Sequence, residues 1–318
     1  MAPVVNRSVK AENHQLIKVM PPYNSYGRYL RDKFGCRVYK IGIDAGFSCP
    51  NRDGLLSTSG CTYCNNDSFR PKTSDRRKSV SEQMSDGMDY LRRRYGAKKF
   101  IAYLQTATNT YAPMDVLVPL YETVVAHPDM VGLAIGTRPD CIDEEKLAWL
   151  ERLAKSCFVT VEYGLQSTSD ETLRRINRGH DVQCWRDAVA HTHNRGIHIG
   201  THLILGFPWE SCEEMLRGAE VVSTAGIDFL KLHHLHIVRG SALAEEYLAH
   251  PFPLPTLEEY AELLAEFLSH LSPDICIERL FGTAPEELLI APVWKKNKAE
   301  IQSYLARVLQ ENAAASSP

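Results

Sequence analysis

No stretch of the 318-residue sequence stays apolar long enough to span a bilayer, because charge interrupts every candidate run. Its first residues, "MAPVVNRSVKAENHQLIKV", lack the basic-then-apolar layout of a secretory signal. Neither sign of charge dominates: 36 Lys and Arg stand against 39 Asp and Glu, so no global basic field advertises a nucleic-acid partner. There is no internal repeat and no low-complexity segment. These absences lead us to expect a cytoplasmic protein with no membrane partner. In that compartment thiols stay reduced, and clustered cysteines signal metal or catalysis more than disulfides. An apolar content of 44% and a charged content of 24% are ordinary for a soluble globular enzyme, and the length suffices for one large core with an appendage.

What is present is a regular alternation. Strand candidates are "RVYKIGID" (37–44), "KKFIAYLQ" (98–105), "VGLAIG" (131–136), "CFVTVEYGL" (157–165), "IHIGTHLIL" (197–205) and "DFLKLHHLHIV" (228–238). Helix candidates lie between them at 79–95, 114–126, 143–155, 170–177 with 181–195, and 210–225. Asp143 and Ser169 stand where N-caps belong. Six βα units imply parallel strands and right-handed crossovers. The unusual polar clusters follow strands and never precede them, so they gather on one face, as ligand sites do in parallel α/β folds. The fold predicted is therefore α/β, a partial (β/α)6 TIM-type barrel open on one side. A lead-in is expected over 1–35, with a short helix in 23–35, and the barrel core over 36–240. A small α+β extension over 241–318 should carry a helix near 256–271, a strand at 275–282, a helix near 294–311 and a frayed tail.

One loop shows a telling shortage. Cys49, Cys61 and Cys64 are spaced C-x11-C-x2-C with no histidine nearby, and their surroundings are too polar to bury them as simple hydrophobes. Structural zinc takes four ligands, and an iron–sulfur cubane normally takes four cysteines, one per iron. Three thiolates leave one corner open to an exogenous molecule. A zinc knuckle completed by Asp67 or a distant histidine is the alternative, and it would make the protein an RNA-binding module without catalysis. The six remaining cysteines read as buried hydrophobes. Basic runs at 75–79, 91–99 and 294–298 are either solvated faces or nucleic-acid contacts, and Trp294 beside Lys295, Lys296 and Lys298 is either a stacking platform or a packed tryptophan. His234 and His236 fall on one face of the sixth strand candidate and His233 on the other, as substrate contacts or core.

The phrases "GFSCPNRDG…GCTYCNNDSF", "TNTYAP", "GTRPDCI", "VEYGLQSTSDETLRRINRGHD", "THLILGFPWE" and "LKLHHLHIVRGS" resemble, in order and over nearly the whole chain, the YhcC/YtqA group of radical S-adenosylmethionine (SAM) proteins. More distantly they are similar to the catalytic subunit of elongator. The resemblance implies a [4Fe-4S] cluster on Cys49, Cys61 and Cys64, with SAM chelating the open iron. Reduction would then release methionine and a 5′-deoxyadenosyl radical. It also implies that Tyr63 is the aromatic of the cysteine motif and that Gln166 and Arg178 hold the SAM ribose and carboxylate. Arg138 and Glu162 line the same site, with His202 near the ribose. Related enzymes carry a glutamate where this chain has Gly136, which leaves Gln105 and Thr106 as substitutes toward the SAM amino group. A tRNA substrate, modified on a wobble-uridine side chain, follows from the elongator likeness, as does an electron donor such as flavodoxin or ferredoxin.

Overall fold

The computed structural model describes residues 21–70 and 74–315; the first twenty residues of the expected lead-in lie outside them. Helix α1 (Tyr26–Phe34) precedes six strand–helix repeats. The strands are β1 (Val38–Ile43), β2 (Lys99–Leu104), β3 (Met130–Thr137), β4 (Phe158–Gln166), β5 (His198–Leu205) and β6 (Phe229–His234). The helices between and after them are α2 (Val80–Tyr95), α3 (Met114–Val125), α4 (Glu144–Ala154), α5 (Asp170–Arg175), α6 (Val182–Thr192) and α7 (Cys212–Thr224). The extension contributes β7 (Ile237–Val238), α8 (Ala242–Ala249), α9 (Leu257–Ser269), β8 (Cys276–Arg279), β9 (Leu289–Ala291) and α10 (Lys298–Ala315).

Local chemistry sets the helix starts. Asp143 and Ser169 cap as expected, accepting from the Lys146 and Thr172 amides. Ser79, Ser211 and Thr256 each form a capping box with the glutamate three residues on, a device that satisfies two amides left over at a helix end. Each strand is rich in Val, Ile, Leu, Phe and Tyr, the side chains that fit a pleated surface.

Seven parallel strands, in the order β1-β2-β3-β4-β5-β6-β8, curl into a half-barrel. Three expectations need correction. The sheet has seven strands rather than six, because β8 of the extension pairs parallel with β6. The sixth candidate (228–238) is broken after His234, and β7 leaves the sheet to pair antiparallel with β9. The C-terminal tail is helical as far as Ala315 rather than frayed from residue 312.

Lys40 on β1 bonds Glu278 on β8 at 2.7 Å, so side chains from the two edges of the sheet meet across the lumen. Strand alternation sorts the rest. One face packs Ile41, Leu104, Leu133, Val161 and Leu165 under the helices. The other faces the lumen, whose amino-terminal end is stoppered by Val38, Ile101, Phe158, Phe229 and Cys276 against Tyr26 and Leu30 of α1. Everything chemically unusual lies above that stopper.

Candidate functional site

The cysteine loop leaves β1 at Asp44, a buried carboxylate that takes the Nε of both Arg70 and Arg76 at 3.0 Å and the Gly46 amide at 3.0 Å. The loop's far side is stapled to the segment after α5. Thr62 N donates to the Ile176 carbonyl at 2.9 Å, Asn177 Nδ2 donates to the Gly60 carbonyl at 2.8 Å, and Asn51 Nδ2 donates to the Asn177 carbonyl. Arg52 reaches the Cys64 carbonyl at 2.5 Å and lies within electrostatic range of all three thiols. Asp67, the alternative fourth ligand, gives its carboxylate to Arg70 at 2.6 Å instead.

Arg178 ties this loop to the barrel. Its Nε and one terminal nitrogen donate to the Gly164 carbonyl at 3.2 and 2.5 Å, and the other terminal nitrogen lies 3.5 Å from the Cys61 sulfur. Asn51 Nδ2 approaches the same sulfur at 3.4 Å. Burial opposes ionisation of Cys61, but the Arg178 charge and these two hydrogen bonds outweigh it and hold the thiol below its ordinary pKa. Cys64 goes the other way, pushed up to about 11 by burial and by Cys61 beside it. Tyr63, buried against Cys61, is raised for the same reasons.

Gln166 ends β4 with φ at +81° beside a register shift between Gly164 and Gln166. A Cβ on Gly164 would stand 2.5 Å from Gln166 Nε2 and 2.7 Å from Arg178, so only glycine lets these two side chains pass over the strand. Gln166 and Arg178 thus meet over Gly164, and Arg178 reaches on to the Cys61 sulfur. Arg138, expected in the same site, spends its donors on its neighbours: two nitrogens clamp Asp140 at 2.8 and 2.7 Å and the third holds the Arg178 carbonyl at 2.7 Å. It braces Arg178 from behind.

Across the mouth, Thr106 and Ala107 adopt positive φ, and the hydroxyls of Thr106 and Thr108 and the carbonyl oxygens of the Asn51 and Asn109 amides are buried without a partner among the described residues. Gln105 leads into this turn. Gly136 offers its carbonyl to the Asn109 backbone amide at 3.1 Å and to its side chain at 2.9 Å. Orphaned polar atoms around a depressed thiol are what a polar, cluster-bound guest would satisfy. Among the described residues no three His, Cys, Asp or Glu side chains are grouped so as to hold one metal ion.

Glu162 and His202 sit one layer lower. Glu162 accepts from Lys40 at 2.6 Å, from Lys231 at 2.5 Å and from His202 Nε2 at 2.8 Å. Glu278 pairs with the same two lysines at 2.7 and 2.8 Å. Tyr103 caps the set, its ring 4.0 Å from Lys231 Nζ. The sequence reading missed this layer, although the signal was there: single lysines interrupting the apolar strands "RVYKIGID" and "DFLKLHH".

His234 and His236 meet at 2.7 Å, Nε2 to Nε2, even though the strand has ended between them. Trp294 stacks on His234 at 4.0 Å and gives its N–H to the Pro255 carbonyl at 3.1 Å, so it is core and not a free stacking platform. The basic run at 75–79 is paired, Arg77 with Asp75 and Lys78 with Asp86.

The family model described as "Radical SAM superfamily" matches residues 51–219, and one described as "Radical_SAM C-terminal domain" matches 227–311. The chain belongs to the radical SAM superfamily and is an enzyme of that class, whose cofactors are a [4Fe-4S] cluster and S-adenosylmethionine. Within it, the chain is 38% identical to protein YhcC of Escherichia coli over 290 residues, 91% of this chain and 93% of that one. It is 26% identical over 174 residues to the tRNA uridine(34) acetyltransferase of Methanocaldococcus infernus, covering 54% of this chain and 32% of that one. The solved structure of Elp3 from that archaeon superposes with a TM-score of 0.63 at 18% identity, over 86% of this chain and 63% of the other, which bears out the half-barrel. No described helix is long and apolar enough to cross a membrane.

Proposed function

We propose that this chain binds its [4Fe-4S] cluster through Cys49, Cys61 and Cys64, uses it to cleave SAM reductively, and directs the resulting radical chemistry at a uridine side chain in tRNA. The observation that carries the first part is the line Gly164–Arg178–Cys61, which places one guanidinium between the strand end and a thiol. When bound, the cluster supplies one electron and SAM supplies the 5′-deoxyadenosyl group that abstracts hydrogen from substrate.

The protein's own contribution is positioning and exclusion. Arg178 stabilises the thiolate and remains within reach of a carboxylate at the open corner, for which a planar guanidinium is well shaped. Gln166 offers an amide for ribose hydroxyls, and its side chain bonds no described residue. Thr106 and Gln105 supply the polar edge toward an amino group. The half-barrel wall keeps a reactive primary radical from water. A one-electron donor such as flavodoxin or ferredoxin would feed the cluster.

The tRNA reading rests on a named activity of one relative and on the shared fold, and fold alone does not choose a substrate. Its test compares modified nucleosides in tRNA from cells with and without the intact protein, with Cys61→Ala as control. Anaerobic reconstitution tests the chemistry: a brown protein that releases 5′-deoxyadenosine under reducing conditions supports it. A colourless protein holding one zinc returns the assignment to an RNA-binding module.

A further inference from the structure

Beneath the mouth, Glu162 receives two lysines and one histidine, and each donor dictates the state of the next. Lys40 and Lys231 hold Glu162 ionised, well below the usual carboxylate range despite its burial. An ionised carboxylate can only accept, so the 2.8 Å contact with His202 Nε2 requires the proton on that nitrogen. Burial and the neighbouring Lys231 depress the His202 pKa while Glu162 opposes them, which favours the neutral ring. A neutral ring protonated at Nε2 has a bare lone pair at Nδ1. That nitrogen bonds no described residue and is not sealed off, since the ring is 18% exposed. His202 pairs in register with Gly164, the residue over which Gln166 and Arg178 pass. His202 thus rises from β5 beside the strand end over which those two side chains pass.

The layer below sets two lysines against two glutamates, with the Arg279 charge of β8 acting on Lys231 and His233 from beside it, and burial and that charge push the pKa of His233, its ring 6.0 Å from His202, well below the ordinary value.

We infer that the Lys40–Glu162–Lys231–Glu278 layer locks His202 as the Nε2–H tautomer. Its Nδ1 then accepts a hydrogen bond from the N–H or O–H of an uncharged polar group held in the lumen. The group we assign is a nucleobase imide N–H, as uracil offers. This assignment rests on the tRNA reading above; the tautomer lock does not. Glu162 is a positioning residue here and His202 a binding one.

The test uses the full-length chain with its cluster reconstituted and oxidised. In the first arm, long-range proton–nitrogen spectra of histidine labelled with nitrogen-15, assigned against His202→Gln, report the ring state. A neutral ring protonated at Nε2 supports the lock; protonation at Nδ1, or at both nitrogens near neutral pH, overturns it. Glu162→Gln, whose amide can donate to the ring, should move the proton toward Nδ1. If that variant does not fold, the native spectrum still decides.

In the second arm, an anticodon stem-loop RNA carrying uridine or 3-methyluridine is bound to the native chain and to His202→Ala. Methylation should cost the native chain about two- to tenfold more affinity than it costs His202→Ala, the worth of one neutral hydrogen bond. Equal losses overturn the base as occupant. If His202→Ala weakens only SAM, the donor is the cofactor's ribose hydroxyl and the base is again excluded. RNA that binds neither protein sinks the tRNA reading and the base with it, while the ring spectrum judges the lock separately.

Discussion

Arg178 lies 3.5 Å from the sulfur of Cys61 while anchored to the carbonyl of Gly164, so one side chain couples the cysteine loop to the end of β4. Removing it should do two kinds of damage. Arg178→Ala is expected to lower both iron content and 5′-deoxyadenosine release about ten- to a hundredfold, the usual effect of losing a group that orients a metal ligand. Arg178→Lys should restore charge without the fork, recovering iron more than turnover. Iron per chain and 5′-deoxyadenosine yield, measured on the same samples, check both.

Gly164→Ala probes the same junction from the strand. The added Cβ meets Gln166 Nε2 at 2.5 Å, the unbonded end of a side chain that can swing away, and Arg178 at 2.7 Å, which cannot retreat without giving up its hydrogen bonds to the Gly164 carbonyl. We expect a stability loss of about 1–3 kcal/mol, typical of forcing a methyl into packed structure, with SAM affinity reduced. Gly27→Ala in α1, where a Cβ meets nothing within 4 Å, is the control and should be neutral or slightly stabilising. Denaturant midpoints and SAM titrations distinguish the outcomes.

The ionic layer makes a third case. Lys231 is buried against two carboxylates, and Lys231→Met leaves both short of a partner. Breaking a buried pair from one side costs about 3–5 kcal/mol, whereas replacing both sides is often neutral. Lys231→Met should therefore be strongly destabilising, and Lys231→Met with Glu278→Gln should recover part of the loss. A double-mutant cycle of urea unfolding measures the coupling.

Acid should weaken the fold through the buried histidines. Burial depresses the pKa of His236 to about 4, and His233 and His234 lie well below their ordinary value. Between about pH 6.5 and the folded value the unfolded chain binds more protons, so stability rises with pH. It is complete above about 6.5 and falls by about 1.4 kcal/mol per pH unit for each such histidine as the solution is acidified. Urea titrations at successive pH values should show this slope. His236→Gln should flatten it by one histidine's share; an unchanged slope would refute the assignment.

Much of this was readable in the sequence because it is local. Hydrophobic period, N-caps and the cysteine spacing each act within a few residues, and most helix and strand bounds agree with the structure to within two or three positions. What escaped depends on partners far away in the chain. "ICIERLFG" reads as a strand, but nothing in those letters says that it pairs with β6 and adds a seventh strand. Lys40, Glu162, Lys231 and Glu278 look like unrelated charges until the sheet curls and brings its edges together. Arg138 shares a motif with the cofactor site, yet Asp140, two residues on, captures its guanidinium. Trp294 stands among lysines in sequence and against His234 in space.

The plug of Phe158, Phe229, Tyr26 and Leu30 at the amino-terminal ends of the strands has a corollary. A chamber corked at its base admits nothing from below, so guest molecules reach the buried polar layer by way of the rim or the open flank of the half-barrel.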